Sequence, residues 1–185
     1  MHSDGPMEDR AEQALIVRAK AGDGVAYESL LEPAVRPATR LAFAMLQDRS
    51  EAEDAFQEAA LRAWRHLQNL REGSPFQAWF MGIVANQCRE ARRSRWWHVV
   101  RVPDASAVQP VNEAAWVEGE DLRRSLMSLP YDQRVAILLH FHLDMPLSDV
   151  ATALDLSVSG VKSRINRALK RLRPAMRVSE VSVNG

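Results

Sequence analysis

Apolar residues recur every three or four positions along most of this chain, and no stretch alternates apolar with polar as a half-buried strand would. The spacing predicts helices over residues 8–21, 25–46, 50–67 and 76–93, then over 120–129, 131–142, 146–154 and 158–172. In the second of these, Leu30, Leu31, Leu41, Met45 and Leu46 face inward, and Pro33 and Pro37 predict a kink or a break. Ser50, with Glu53 three residues on, reads as the cap of the third helix. Gly73-Ser74-Pro75 marks a loop before the fourth. Residues 98–119 lose the periodicity; they hold Pro103, Pro110 and Gly119 and predict a mobile linker. The expected architecture is all-α: two small helical domains, 1–97 and 120–177, joined by a flexible linker at 98–119, with a frayed tail at 178–185.

The segment LSDVATALDLSVSGVKSRINRALKRL, residues 147–172, reads as two short helices around a tight turn, a helix-turn-helix. Wound at 100° per residue, its second helix gathers Val161, Ile165, Ala168, Leu169 and Leu172 on one side. Ser159, Ser163, Asn166, Arg167 and Lys170 fall on the other side, with Lys162 and Arg164 at its borders. Ser157 can cap the helix start. Ser163, Asn166 and Arg167 are short or forked hydrogen-bonding groups suited to base edges, and the flanking Lys and Arg suit phosphates.

Residues 76–93 repeat that logic. Phe76, Phe80, Ile83, Val84, Cys88 and Ala91 form an apolar side; Gly82, Ala85, Asn86, Arg89, Arg92 and Arg93 form the opposite one. Small residues beside a basic end allow close approach of a backbone or a base. Trp79 reads as core, whereas Trp96 and Trp97 suit either covering the end of the domain or stacking on exposed bases. The preceding helix, SEAEDAFQEAALRAWR, turns Ala55, Phe56, Ala59, Ala60, Ala63 and Trp64 inward. Glu51, Asp54, Gln57, Glu58, Arg62 and Arg65 face outward, and its acidic first half suits a basic protein surface better than DNA.

Charge sharpens this picture. The 185 residues have zero formal net charge, which excludes a generic polyanion binder. The charges are segregated: residues 162–177 hold seven Lys or Arg and no acid, and residues 102–122 hold five acids and no base. One cysteine, Cys88, excludes an internal disulfide framework and a zinc site built from several thiolates. No apolar signal core or membrane-length apolar run occurs, so a cytoplasmic protein is expected. His140 and His142, two apart, diverge on a helix and argue against shared metal ligation. No phosphate-cradling glycine loop or paired catalytic groups stand out. The expectation is no enzyme, no cofactor and no metal.

Three segments, in order, resemble the extracytoplasmic-function sigma factors of bacterial RNA polymerase. SEAEDAFQEAALRAWRHL is similar to the family's polymerase-docking helix, DAEDxxQExFLRAW. PFQAWFMGIVANQCREARRSR is similar to its promoter −10 helix, FxAWLxxIAxNxxxDxxRRR. LPYDQRVAILLHFHLDMPLSDVATALDLSVSGVKSRINRALKRLR resembles its −35 reader, in which LPxxQR precedes GTVKSRLxRARxxLR. The chain differs at Ala60, Asp144, Pro146-Leu147 and Ser159-Gly160, where the family often has Phe, Gly, Ser-Tyr and Gly-Thr.

The resemblance, which covers residues 10–175, implies a promoter-specificity subunit without catalysis. It implies contacts to the polymerase clamp through Asp54, Gln57, Glu58 and Arg62. It implies −10 contacts through Asn86, Arg89, Arg92 and Arg93, with an unpaired base taken up by the loop at 69–77. It implies −35 contacts through Ser159, Lys162, Ser163, Arg164, Asn166, Arg167 and Lys170, and contact of the C-terminal domain with the polymerase flap. Partners implied are core polymerase, promoter DNA and an anti-sigma factor, which in this family is often membrane-anchored; the free chain is expected to be a monomer. Two other readings fit parts of the chain. A duplex-binding helix-turn-helix regulator would leave residues 50–97 idle, and a decoy for an anti-sigma factor could dispense with both basic faces.

Overall fold

The structure, a computed structural model, describes residues 5–101 and 120–183, with side chains from 10 to 94 and from 122 to 172. Among the described residues every regular element is helical. The helices are α1 (Gly5–Lys20), α2 (Gly24–Leu46), α3 (Arg49–Arg65) and α4 (Phe76–Arg101), then α5 (Glu120–Ser128), α6 (Tyr131–Ile137), α7 (Leu147–Leu154) and α8 (Val158–Val183). A 3-10 turn, Leu67–Asn69, follows α3, and a π-helical turn, Leu138–His142, continues α6. The chain therefore forms two helical units, α1–α4 and α5–α8; of the linker expected at 98–119, residues 98–101 instead continue α4, and residues 102–119 lie outside the described residues.

Helix α2 runs unbroken through Pro33 and Pro37, so the chain does not break there. Both prolines lie on its outer side, whereas Leu30, Ala34, Ala38, Leu41, Ala42 and Met45 are buried against neighbouring helices. Carbonyls that lose an amide partner face water there, and the packed side carries the helix across. The cap of α3 is Asp48, not Ser50: its carboxylate accepts from the Glu51 amide at 2.9 Å, and Ser50 lies inside the first turn. Helix α4 extends eight residues beyond the expected Arg93, to Arg101, and includes Trp96 and Trp97, whose side chains lie outside the description. Residues 178–183, expected to fray, continue α8.

The first unit's core is built on Leu41, Met45, Leu70, Phe76, Phe80, Met81 and Val84, all fully buried. Phe76 stacks on Phe80 at 5.8 Å between ring centroids and meets Tyr27 edge-on at 6.1 Å. Trp79 packs partly buried against this core, and Cys88 is enclosed, with burial pushing its thiol up to about 12. The second unit packs α6 and α7 against α8 through Val135, Leu139, Val150, Val161, Ile165 and Leu172. Two residues at its bends, Asp144 (φ 52°) and Asp155 (φ 51°), take the left-handed conformation that Asp tolerates better than most side chains.

The two units also touch, a contact absent from the expected architecture. Helix α7 lies across α4, and Gly82 is the point of closest approach: a Cβ there would stand 2.2 Å from the Ala153 carbonyl oxygen. Around it, Tyr131 donates to the Ala85 carbonyl, Arg89 pairs with Asp132, and the Arg89 guanidinium lies 4.6 Å above the Tyr131 ring. At the far edge Arg40 donates to the His142 carbonyl at 3.0 Å. Burial, and then the charge of Arg40, push the His142 imidazole down to about 4, while Asp144 pulls the other way.

The pH dependence follows from that sign. A released His142 titrates near about 6.5, so above that pH it is neutral in both states and the contact is at full strength. Between 6.5 and 4 the released state takes up the proton first, and the contact weakens as pH falls. The thermal midpoint is therefore expected to drop from pH 7.5 to pH 5 by more in the wild type than in His142→Gln. An equal drop in both would remove His142 as the cause.

Candidate nucleic-acid interface

Helix α8 shows its polar side as the spacing predicts. Val161 and Ala168 are fully buried, and Ile165 and Leu172 nearly so. Ser159, Lys162, Ser163, Asn166, Arg167 and Lys170 are exposed together on the opposite side. The helix begins where expected: the Ser157 hydroxyl accepts from the Gly160 amide at 3.1 Å. Arg167 folds back along the helix, with Nε 3.3 Å from the Ser163 carbonyl. Arg164 differs from the rest. It is half-buried and lines a cleft of about 270 Å³ with Asn86, Arg89, Asp132 and Asp155, at the junction of the two units.

Helix α4 sorts its residues into three groups. Asn86, Arg92 and Arg93 are exposed. Arg89 is half-exposed and held by Asp132 and Tyr131. Gly82 and Ala85, the small residues that could admit a backbone or base, are buried beneath the second unit. A second cleft, about 390 Å³, also borders the Gly82–Ala153 contact, lined by Asn69, Arg71, Ser74, Trp79, Asn86 and Thr152 among others. The loop at 69–77 and the exposed face of α4 thus meet in one recess, and α7 forms its opposite wall. The basic end of α4 also approaches Arg134, whose pKa falls to about 10 through burial and then the charge of Arg92.

Helix α3 exposes Glu53, Asp54, Gln57 and Glu58. Glu51, Asp54 and Glu58 share an open groove with Gln87, Glu90 and Ser94 of α4. Arg62 is turned into the helix pair instead of outward. Its Nη1 donates to Glu90 at 3.0 Å, and the Gln87 amide oxygen, turned toward it, accepts from Nη1 at 2.6 Å and from Nε at 3.2 Å. That interhelix clamp gives Gln87, an almost fully buried polar side chain, its partner. Spacing alone marked Arg62 as outward; the acceptors sit on α4, too far along the chain to be read from α3.

Sequence reasoning missed Tyr131, Asp132 and Ala153, which cover α4. The signal was present in Gly82, a glycine inside a helix that lets another backbone approach closely. Among the described residues no group of three His, Cys, Asp or Glu side chains could hold a metal ion, and no helix is long and apolar enough to cross a membrane.

Two helical units, one a helix-turn-helix and each with an outward basic helix face, place the molecule in the class of modular helical DNA-binding proteins. Known proteins narrow it. Sigma-70 region 2 matches residues 30–98, and Sigma-70, region 4 matches residues 119–172. The extracytoplasmic-function (ECF) RNA polymerase sigma factor EcfG of Rhodopseudomonas palustris is 33% identical over 125 residues, 65% of this chain and 68% of that protein. The ECF sigma factor SigM of Mycobacterium tuberculosis is 29% identical over 181 residues, 97% of this chain and 92% of that one. The probable sigma factor RfaY of Xanthomonas campestris pv. campestris is 31% identical over 166 residues, and the match spans 41% of its length. In the solved structures, RpoE of Bartonella quintana, crystallised with the anti-sigma factor NepR, shares the fold at a TM-score of 0.64 and 24% identity, over 82% of this chain and 97% of that chain. The chain belongs to the extracytoplasmic-function sigma factors of bacterial RNA polymerase.

Proposed function

We propose that this chain joins core RNA polymerase in the cytoplasm, directs it to a specific set of promoters, and performs no catalysis itself. The observation that supports this best is the presence of both matched regions on one chain, each with an outward basic face, beside an acidic docking helix. A regulator confined to duplex DNA would have no use for the acidic outward face of α3.

In this reading residues 1–97 dock on the clamp and capture the −10 element, and residues 120–177 read the −35 duplex and contact the flap. Asp54, Gln57 and Glu58 meet the clamp, with Arg62 acting from within the α3–α4 clamp. Asn86, Arg89, Arg92 and Arg93 lie along the −10 strand, and a flipped base enters the recess bounded by the loop at 69–77. Ser159, Lys162, Ser163, Arg164, Asn166, Arg167 and Lys170 meet the −35 element. The free chain is a monomer. An anti-sigma factor holds it in check; the Bartonella quintana sigma factor that shares the fold was crystallised in complex with one.

Run-off transcription with core polymerase on a genomic promoter library tests the whole reading; no promoter-specific transcript would overturn it. The docking role has its own test. Asp54→Lys with Glu58→Lys reverses two exposed charges and is expected to abolish co-elution with core while leaving the helical content unchanged. A well-folded double variant that still co-elutes would remove α3 from the interface.

A further inference from the structure

We infer that α1 sets the position of the turn in front of α4, so that Glu12 and Lys20 are positioning residues for −10 capture. The inference rests on the assignment of that turn to −10 binding.

The turn itself is weakly determined. Arg71, Glu72 and Gly73 are exposed, and one backbone hydrogen bond, Ser74 amide to Arg71 carbonyl at 3.1 Å, closes it. Gly73 sits at φ +74° with open space where a side chain would stand, so no packing holds that point. Both ends of the turn, in contrast, are tied to α1. On the leading side the Lys20 ammonium donates to the Leu70 carbonyl at 2.7 Å, and the Gln68 amide donates to the Lys20 carbonyl at 2.8 Å. On the trailing side the Phe76 amide donates to the Glu12 carboxylate at 2.5 Å.

That last bond has a particular value. The first amides of a helix have no partner within it. Pro75 stands where a cap would, with its carbonyl accepting from the Trp79 amide at 3.2 Å, but its side chain cannot accept a hydrogen bond. The first turn of α4 carries no acid of its own. Glu12 supplies the missing acceptor and a negative charge from another helix, where the α4 dipole favours it. The Phe76 ring is meanwhile locked in the core between Tyr27 and Phe80. Residues 12 and 20 lie about 12 Å apart along a straight helix axis, so α1 spans the turn from one end to the other like a ruler. These residues precede the matched region at 30–98, so the family comparison does not mark them.

The test uses holoenzyme assembled from core polymerase and full-length chain. The probe is a forked promoter fragment with an exposed non-template −10 strand, taken from a promoter found by run-off transcription. Glu12→Ala is expected to weaken capture of the fork about fivefold, the factor that loss of a capping acceptor corresponds to, with core affinity unchanged. Glu12→Gln keeps an oxygen acceptor and is expected to restore most of it, and Lys20→Met is expected to slow permanganate-detected melting. A purely structural role would lower the thermal midpoint without a selective loss of fork capture, and that result overturns the inference. So does a Glu12→Gln variant as poor as Glu12→Ala. If Glu12→Ala does not fold, Lys20→Met and Gln68→Ala, which touch only the leading end, decide the question by the same readouts. Asn86→Ala with Arg89→Ala serves as the reference. If it loses capture while the α1 variants do not, the inference alone fails; if it captures normally, the −10 assignment fails with it.

Discussion

Gly82→Ala is expected to push α7 off α4 and expand the free protein, with helical content unchanged. The added methyl carbon would stand 2.2 Å from the Ala153 carbonyl oxygen and 3.1 Å from its carbon. An ordinary C···O approach is about 3.3 Å, so the carbonyl must retreat by about 1 Å. It belongs to the backbone of α7, one residue before that helix ends, and cannot swing aside as a side chain would. Elsewhere the contact includes exposed polar pairs, Arg89 with Asp132 and Arg40 with the His142 carbonyl, and such pairs hold weakly in water; Tyr131, donating to the Ala85 carbonyl, is the main tie left beside Gly82. Within α4 the substitution is favourable, because glycine inside a helix costs about 1 kcal/mol relative to alanine. Any expansion therefore reports on the junction and not on a damaged helix. Small-angle scattering gives the radius of gyration directly; an unchanged profile for both Gly82→Ala and Gly82→Val would show that α7 does not rest on α4 in solution.

The junction matters because it covers the small-residue side of α4. A nucleic acid that needs Gly82 and Ala85 meets them buried. Its apparent affinity is then lowered by the fraction of molecules that are closed. Asp132→Ala leaves every α4 side chain in place, removes the carboxylate partner of Arg89 while the Tyr131 ring remains beside it, and is expected to tighten binding of a single-stranded −10 oligonucleotide by the free chain.

The helices were legible because their apolar stripes are local. The polar side of α8, the buried Phe76–Phe80 pair and the loop before α4 all follow from residues within a few turns of each other. What was illegible involves partners distant in sequence. Pro33 and Pro37 read as breaks because propensity weighs the backbone alone, whereas the buried side of α2 gathers contacts from α1, α3 and α4. Asp48 outcompeted Ser50 as the cap by two positions, within the ordinary uncertainty of a helix end. Gly82 and Ala85 were read as room for a ligand; small residues leave room for any backbone, and here it is that of α7. Glu12 gave no signal, since a carboxylate on an amphipathic helix looks like a solvated charge until the helix it caps is in place.

The recognition helix is expected to divide its labour between Arg167 and Lys170. Both are exposed on the side of α8 opposite Val161 and Ala168, so position alone does not separate them. Chemistry and depth do. Arg carries a planar fork that meets the two acceptors of guanine at once, and a good bidentate contact is worth roughly 1–3 kcal/mol of discrimination. Lys carries a compact charge on a flexible stem, suited to a phosphate. Recognition helices also enter the major groove by their N-terminal residues, and Lys170 lies almost a full turn beyond Arg167. Arg167→Ala is therefore expected to relax preference at one base position of a −35 library. Lys170→Ala is expected to weaken all sequences nearly equally and to lower the salt slope by about one. Lys162 is expected to behave as Lys170 does. Arg164 is expected to do so as well, but it lines the cleft with Asp155, so its share of the salt slope should rise once the two units separate. Binding to the library at several salt concentrations reads all of these together. If Lys170→Ala changes the preferred sequence while Arg167→Ala only lowers affinity uniformly, α8 lies in the groove with Lys170, and not Arg167, against the base edges.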